Sequence, residues 1–549
     1  MSGQTYFRAG LISILALAVV GSTLALSSSD RRLALFDPLI DIEYLLSSEY
    51  VEELDYERIQ QGAIDGMLAT LNDPYTVYVP AVERESFEKE LTGEYVGIGA
   101  QILIVDGWLT IVTPLDDSPA LVAGLMADDR VTEIEGRSTY GMSSGECIEL
   151  LQGEPGTDVH IIVERGSDRI PITITRDRIK TKSVKGYHRT IENGGSSWDY
   201  VIDADRRIAY IRLSQFTPAC AKEIADALDS VGARDGDLGG LVLDLRGNPG
   251  GSLEEAIRIT DLFIDEGVIV STKGRAFPEE VRRATRRGTM PEFPMAVLIN
   301  GQSASASEIL AGALVDHERA IALGTRTFGK GSVQTVKTFG REELSELKFT
   351  TQRYYLPSGR SIQRLDESTE WGVDPTPGFY VPVSRDELIE AFRIRRDEEV
   401  IRNGDDDSES KWGDVDWVLE KLHDEQLAAA VRAVQIRIDT GLWEPTGDEG
   451  ITGNELTLVE LGDMRTRRER VLRELTRVDR RIAQLETVSD GDAIGQIDLW
   501  ADDVSVEGGT LIVYDAENNV VAEFKVTGAD LERWLIDADI EPIEDTDRE

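Results

Sequence analysis

Cysteine is nearly missing from this chain: Cys147 and Cys220 are the only two in 549 residues, far apart and in no metal-binding spacing. No disulfide framework is therefore expected, and both thiols are read as small buried side chains. Histidine is scarce as well, with His160, His188, His317 and His423 scattered along the chain. None is a convincing base for a nucleophile, and His317, between Asp316 and Glu318, reads as solvated surface. Positive charge is the largest deficit. Lys and Arg number 58 against 102 Asp and Glu, a formal net charge of −44. Such a surface repels nucleic-acid phosphates and has no broad electrostatic footing on anionic lipid. It reads as a solvated acidic surface.

What remains suits a folded soluble protein, with 41% hydrophobic and 29% charged residues over a length that implies several domains. One targeting signal stands at the start. After Arg8, residues 9–26 are apolar apart from small and hydroxyl side chains, close to the roughly 20 residues that cross a bilayer. Ser22, Thr23 and Ala25 are also the small residues a signal peptidase favours. Residues 1–27 are expected to be a signal peptide or membrane anchor. The protein is expected to be extracytoplasmic, periplasmic or secreted, with anchorage at the inner membrane left open.

Apolar residues at helical spacing (Leu39, Ile42, Leu45, Leu46, then Ile59, Ile64, Met67, Leu68, Leu71) predict two or three short helices, stopped by Asn72-Asp73-Pro74. Residues 90–178 then turn β-rich, with strand-like runs at 102–105, 109–112, 159–163 and 170–174 and helical patches at 119–125 and 144–151. That alternation describes a small, partly open barrel. From residue 187 to 377, strand and helix alternate: strands at 208–213, 241–245 and 295–299, helices at 219–231, 253–263 and 304–315. This predicts a largely parallel sheet whose strand-end loops carry chemistry. Beyond it lie an acidic linker at 403–410 and a heptad seam (Leu461, Met464, Val471, Leu475, Val478, Ile482, Leu485) interrupted by Arg468. The seam fits a coiled-coil helix or a plain amphipathic one. Residues 509–526 read as a hairpin around Glu517-Asn518-Asn519.

Three loops carry chemistry. In Asn300-Gly301-Gln302-Ser303-Ala304-Ser305-Ala306-Ser307-Glu308, small residues lead from a buried strand into a helix start, whose free N–H groups could stabilise an oxyanion. A serine there could equally be an N-cap. Thr327-Phe328-Gly329-Lys330-Gly331 sets a lysine between glycines after another strand-like run. A lysine can replace histidine as base if burial lowers its pKa from about 10.4 toward roughly 7–8. Leu241-Val242-Leu243-Asp244-Leu245-Arg246-Gly247-Asn248-Pro249-Gly250-Gly251 ends a buried strand in glycines that expose backbone N–H groups. Each alone has an ordinary structural reading; together they are far more specific.

With those blocks in this order, the chain resembles the carboxyl-terminal processing (tail-specific) proteases from about residue 38 to 377. The likeness includes Asn72-Asp73-Pro74-Tyr75-Thr76, Tyr95-Val96-Gly97-Ile98-Gly99, Ser118-Pro119-Ala120, the YYLPSGRSIQ block from Tyr354 to Gln363, and Gly372-Val373-Asp374-Pro375. The resemblance implies a Ser–Lys mechanism. The family's spacing of twenty-five residues selects Ser305 over Ser303 and Ser307 as partner of Lys330. It further implies Gln334 as the residue supporting the lysine, and the N–H groups of Gly251 and Ala306 as oxyanion donors. No cofactor or metal is implied.

The fold it implies is multidomain α+β. A small β-rich PDZ-like domain (90–178) is inserted before an α/β core of the Clp protease/crotonase type (187–378). A helical N-terminal segment (30–88) precedes them, and an extra α/β extension (385–549) follows. Gly97, Ile98 and Gly99 would receive a substrate's terminal carboxylate while its tail adds as a strand. The expected partners are proteins or peptides with exposed C-termini, and a homo-oligomer is open. The rival readings are a PDZ-bearing binding scaffold with a vestigial protease core, and an acyl-CoA enzyme of the crotonase type, which rests on fold analogy alone.

Overall fold

The computed structural model describes residues 34, 36–84, 87, 94–180, 182–192, 195–340, 344–365, 368, 370–400 and 411–450, then 465, 468, 472, 510–514 and 520–525. The N-terminal apolar run and the acidic linker lie outside these residues, as do most of the heptad seam and the turn at 517–519. The chain divides into two compact units, residues 1–452 and 453–549. In the second unit, strands Thr510–Tyr514 and Val520–Lys525 pair antiparallel, as the alternation there predicts.

In the first unit, the core is a sheet in which Ile208–Leu213, Gly240–Asp244, Met295–Ile299 and Ile321–Gly324 run parallel, in that order. Both faces are covered, so these strands read as continuous apolar runs. Their side chains nevertheless sort with period two. Ala209, Ile211, Leu241, Leu243, Met295, Val297 and Ile299 enter one cluster; Ile208, Tyr210, Val242, Ala296, Leu298, Ile321 and Leu323 enter the other. Helices Cys220–Ser230, Leu253–Asp261 and Ala306–Asp316 cover the first face. Helix Glu425–Thr440, with Trp412, Val418 and Leu422, covers the second. Residues 411–440 are thus part of the core's packing, although the sequence reading grouped them with the extension.

A buried ion network ties the next piece on. Asp244, at a strand end, accepts from Arg246 (Nη2 2.8 Å), Arg395 (Nη1 3.1 Å) and the Tyr210 hydroxyl (2.8 Å). Burial alone would raise this carboxyl; Arg246 and Arg395 hold it well below the usual carboxylate range. Arg246 also pairs with Asp424 at 2.7 Å, the N-cap of helix Glu425–Thr440.

A second sheet flanks the core. Its long strand Ser345–Tyr355 pairs with Ser332–Phe339, with Val268–Lys273 and, through residues 346–348, with Val77–Val79. The last pairing anchors the end of the N-terminal segment, whose helices Asp37–Glu49 and Tyr56–Ala69 bury no residue. The β-rich module holds the strands Ala100–Val105, Trp108–Pro114, Arg130–Ile134, Asp158–Arg165 and Asp168–Thr175 in that order, with helices Pro119–Val122 and Ser144–Leu151. Its core includes Leu109, Ile111, Val159, Ile161 and Cys147. Both cysteines are free and buried. His317 is half-buried rather than a fully solvated surface residue: its ring packs beside Gly267, and Nε2 lies 2.7 Å from the Val268 carbonyl. Among the described residues, no helix is long and apolar enough to cross a membrane.

Candidate active site

The parallel strands end at one edge of the sheet, so the three loops singled out in the sequence leave the core side by side. The glycine turn after Asp244 and the serine loop after Ile299 are sewn together. Gly247 N–H donates to Asn300 Oδ1 (3.1 Å), Ala304 N–H to the Asn248 carbonyl (3.0 Å), and Phe328 N–H of the lysine loop to the Ser303 carbonyl (3.1 Å). Gly250 must be glycine: a Cβ there would lie 2.8 Å from Ser305 Cβ, and its φ of 97° disfavours any side chain.

The three serines separate by their hydroxyl partners. Ser303 Oγ donates to the Leu245 carbonyl (2.8 Å) and Ser307 Oγ to the Asn248 carbonyl (3.0 Å), both fully buried. Ser305 caps helix Ala306–Asp316 with φ 57° and ψ −113°, an uncommon backbone for a side-chain-bearing residue, and it lines a cleft. Lys330, Gln334, Gly251, Ala306 and Tyr354 line the same cleft, whose volume is about 560 Å³. The N–H groups of Gly251 and Ala306 have no acceptor among the described residues.

The basic side chain is half-buried. Burial pushes the Lys330 pKa down and the Lys348 ammonium adds to this, while the carboxylates of Glu308 and Asp73 pull it back. Its Nζ lies over the ring of Tyr75, 4.5 Å from the centroid. The Tyr354 hydroxyl, which lines the cleft with Ser305, donates to the Lys330 carbonyl. The serine and lysine side chains thus share the cleft without a hydrogen bond between them. Gln334 does not touch the lysine amine here. Its Nε2 donates to Ser332 Oγ (2.9 Å) and Thr350 Oγ1 (3.3 Å), and its side-chain carbonyl has no donor among the described residues.

Glu308 is a residue the sequence reading quoted without giving it work. Its buried carboxylate accepts from Ser305 N–H (2.7 Å), Lys330 N–H (2.9 Å), Gly329 N–H (2.7 Å) and the Thr327 hydroxyl (2.6 Å). Burial raises its carboxyl, and these four donors counter that. One side chain therefore clasps the backbone of both loops. The only sequence signal was its place three residues beyond Ser305, a capping position at a helix start. The YYLPSGRSIQ and GVDP blocks brace the lysine loop from the far side: Gly331 N–H donates to Gln363 Oε1 (3.1 Å) and Thr327 N–H to the Val373 carbonyl (3.1 Å).

Gly97, Ile98 and Gly99 lie in the β-rich module, apart from this cleft. Ile98 is buried in the module core, and its carbonyl accepts from Ala120 N–H (2.8 Å). Gly99 has φ 75°, and the N–H groups of Ile98 and Gly99 have no acceptor among the described residues.

A catalytic-type serine loop, a lysine loop and a glycine turn on one sheet edge define a class, and comparison with known proteins agrees. The model of peptidase family S41 matches residues 207–376, and that of the activating protease CtpB N-terminal domain matches residues 32–82. The carboxy-terminal-processing protease of Bartonella bacilliformis is 35% identical over 402 residues, covering 72% of this chain and 86% of the relative. The carboxy-terminal processing protease CtpA of Bacillus subtilis is 34% identical over 356 residues, covering 64% and 72%. Among solved structures, the photosystem II D1 C-terminal processing protease covers 62% of this chain and 86% of its own, at 26% identity and a TM-score of 0.36. The chain is a peptidase of family S41. Within that family it belongs with the carboxy-terminal-processing serine proteases.

Proposed function

We propose that this protease cleaves peptide bonds by a Ser–Lys mechanism. The supporting observation is that Ser305, Lys330, Gly251 and Ala306 all border one cleft, with the two backbone N–H groups free to receive an anion. Neutral Lys330 takes the proton from Ser305 Oγ, which attacks the peptide carbonyl carbon. The oxyanion forms against the N–H groups of Gly251 and Ala306. The C–N bond breaks as the lysine returns its proton to the leaving amine, and water then releases the acyl-enzyme. Gln334, through its unused side-chain carbonyl, would accept a hydrogen bond from the Lys330 amine and orient it as the lysine turns toward the serine.

The β-rich module is read as a PDZ domain that takes exposed protein C-termini. Two features support this: the free N–H groups of Ile98 and Gly99, and the strand Ala100–Val105 at the sheet edge, where Leu103 and Val105 are exposed. An extracytoplasmic location, with residues 1–27 as signal peptide or inner-membrane anchor, rests on the apolar run from residue 9 to 26. A second copy covering the exposed Leu39, Ile40, Ile42 and Leu45 of the N-terminal helix would make the protein an oligomer. The scaffold alternative has no observation in its favour.

The test is cleavage of an unstructured protein such as casein by purified variants. Ser305→Ala and Lys330→Ala are each expected to lower turnover by about 10⁴-fold or more with the fold intact by circular dichroism. Wild-type turnover in either variant would overturn the mechanism.

A further inference from the structure

The Asn72-Asp73-Pro74-Tyr75-Thr76 turn marks the end of a helix in the sequence, and the mechanism above gives it no part. In the structure it is fastened where it can touch the general base. Asp73 accepts from Tyr75 N–H (3.0 Å) and the Thr76 hydroxyl (2.7 Å), and Thr350 N–H donates to that same hydroxyl (3.3 Å). The next residues, Val77–Val79, pair with Glu346–Lys348 of the long strand. The turn is thus built into the sheet that also carries Gln334 and Tyr354, and it presents the Tyr75 ring to Lys330 Nζ at 4.5 Å from the centroid. An ammonium over an aromatic face is attracted by the ring quadrupole, whereas a neutral amine is not. Among the described residues, Lys330 has no carboxylate in salt-bridge contact and no hydrogen bond to Ser305, so the ring is its immediate partner there.

We propose that Tyr75 is a positioning residue for the general base: its ring is the resting seat of the Lys330 ammonium, which must leave that seat to reach Ser305. This deepens the Ser–Lys reading and rests on it. The seat does two things. It favours the charged amine, with Asp73 and Glu308, against burial and the Lys348 ammonium, which favour the neutral one. The phenols facing the site, Tyr75 and Tyr354, are both kept neutral by burial. It also withholds the base from the serine, holding Nζ over the ring of Tyr75. Substrate filling the cleft would then compete with the seat, coupling occupancy to activation.

The measurement is kcat/KM against pH, whose acidic limb reports the base of the free enzyme. Weakening the ring's attraction lowers the pKa of the seated lysine, so the limb moves to lower pH. Tyr75→Phe keeps the π face and should reproduce the wild-type limb. Tyr75→Leu keeps an apolar cover without the face and should shift the limb down by about half a unit to one unit. Progressively fluorinated phenylalanines at position 75 hold the ring shape while draining the quadrupole. They should give a graded downward shift, and they replace the leucine variant should it fold poorly. A limb that stays fixed or moves up across the fluorinated series, with only kcat lost, would reduce Tyr75 to packing and overturn the seat. Lys330→Ala is the control that separates the two readings. If it cleaves like the wild type, the Ser–Lys mechanism fails; if it is inert while the series shows no shift, the seat alone fails.

Discussion

Glu308 shows how much one side chain can hold. Its two oxygens take four donors from the serine and lysine loops, in a site without water access. Removing an acceptor from a buried donor costs about 1–3 kcal/mol, more than the bond itself contributes. Glu308→Gln keeps the shape but turns an NH₂ toward two of those donors, so a loss of about 2–4 kcal/mol in denaturant unfolding is expected. Glu308→Ala orphans all four and should lose at least as much. Because Ser305 N–H and Lys330 N–H are among the four, kcat should fall in both variants with KM little changed. A Gln variant with wild-type stability and turnover would show that the clasp is incidental. The loops that bring Ser305, Lys330 and Gly251 to one cleft were legible as candidates because each is a local pattern of small residues at the end of an apolar run. Tyr75, Tyr354 and Glu308 were not, because their work depends on partners that only the fold brings near.

At the scale of elements, the strand–helix alternation from 208 to 315 was readable because buried parallel strands are short continuous apolar runs between turn signals. Helix Glu425–Thr440 was missed for a physical reason. Its first half, Gln426 to Val431, is buried all round and rich in alanine, so it has no polar stripe there to mark a helical period. The second sheet was missed because its pairings join residues 77–79 to 346–348, a contact no local window contains. The β-rich module was legible from its alternating runs, though strand Arg130–Ile134 was not among them. The proposed role of that module has a direct check. If the loop at Ile98 and Gly99 receives a carboxylate, a peptide ending in apolar residues should bind Ser305→Ala as the free acid. The C-terminal amide should bind about tenfold more weakly or worse, since a charge-assisted contact is lost. Equal affinity by calorimetry would remove the terminal carboxylate from the recognition.

For the whole molecule, the decisive quantity is the net charge of −44. Carboxylates such as Asp244 and Glu399 are held by buried cations, but 102 acidic residues against 58 basic ones leave a large unpaired excess. That excess repels itself, and compaction on folding brings the charges closer, so the folded state bears more of the repulsion. Screening reaches about 30 Å at 0.01 M salt and about 3 Å at 1 M. Surface repulsion should therefore fade with salt, whereas the buried pair between Arg246 and Asp244, inaccessible to counterions, should not. The thermal midpoint is expected to rise steadily with sodium chloride across that range, and the rise should survive in Ser305→Ala, where self-cleavage cannot confuse it. The same screening should narrow the preference for cationic over anionic peptide substrates, since their encounter with an acidic surface is steered at low salt. A midpoint that is flat or falls with salt would mean that the ion pairs lost to screening match or outweigh the repulsion relieved, and that the acidic excess does not destabilise the fold.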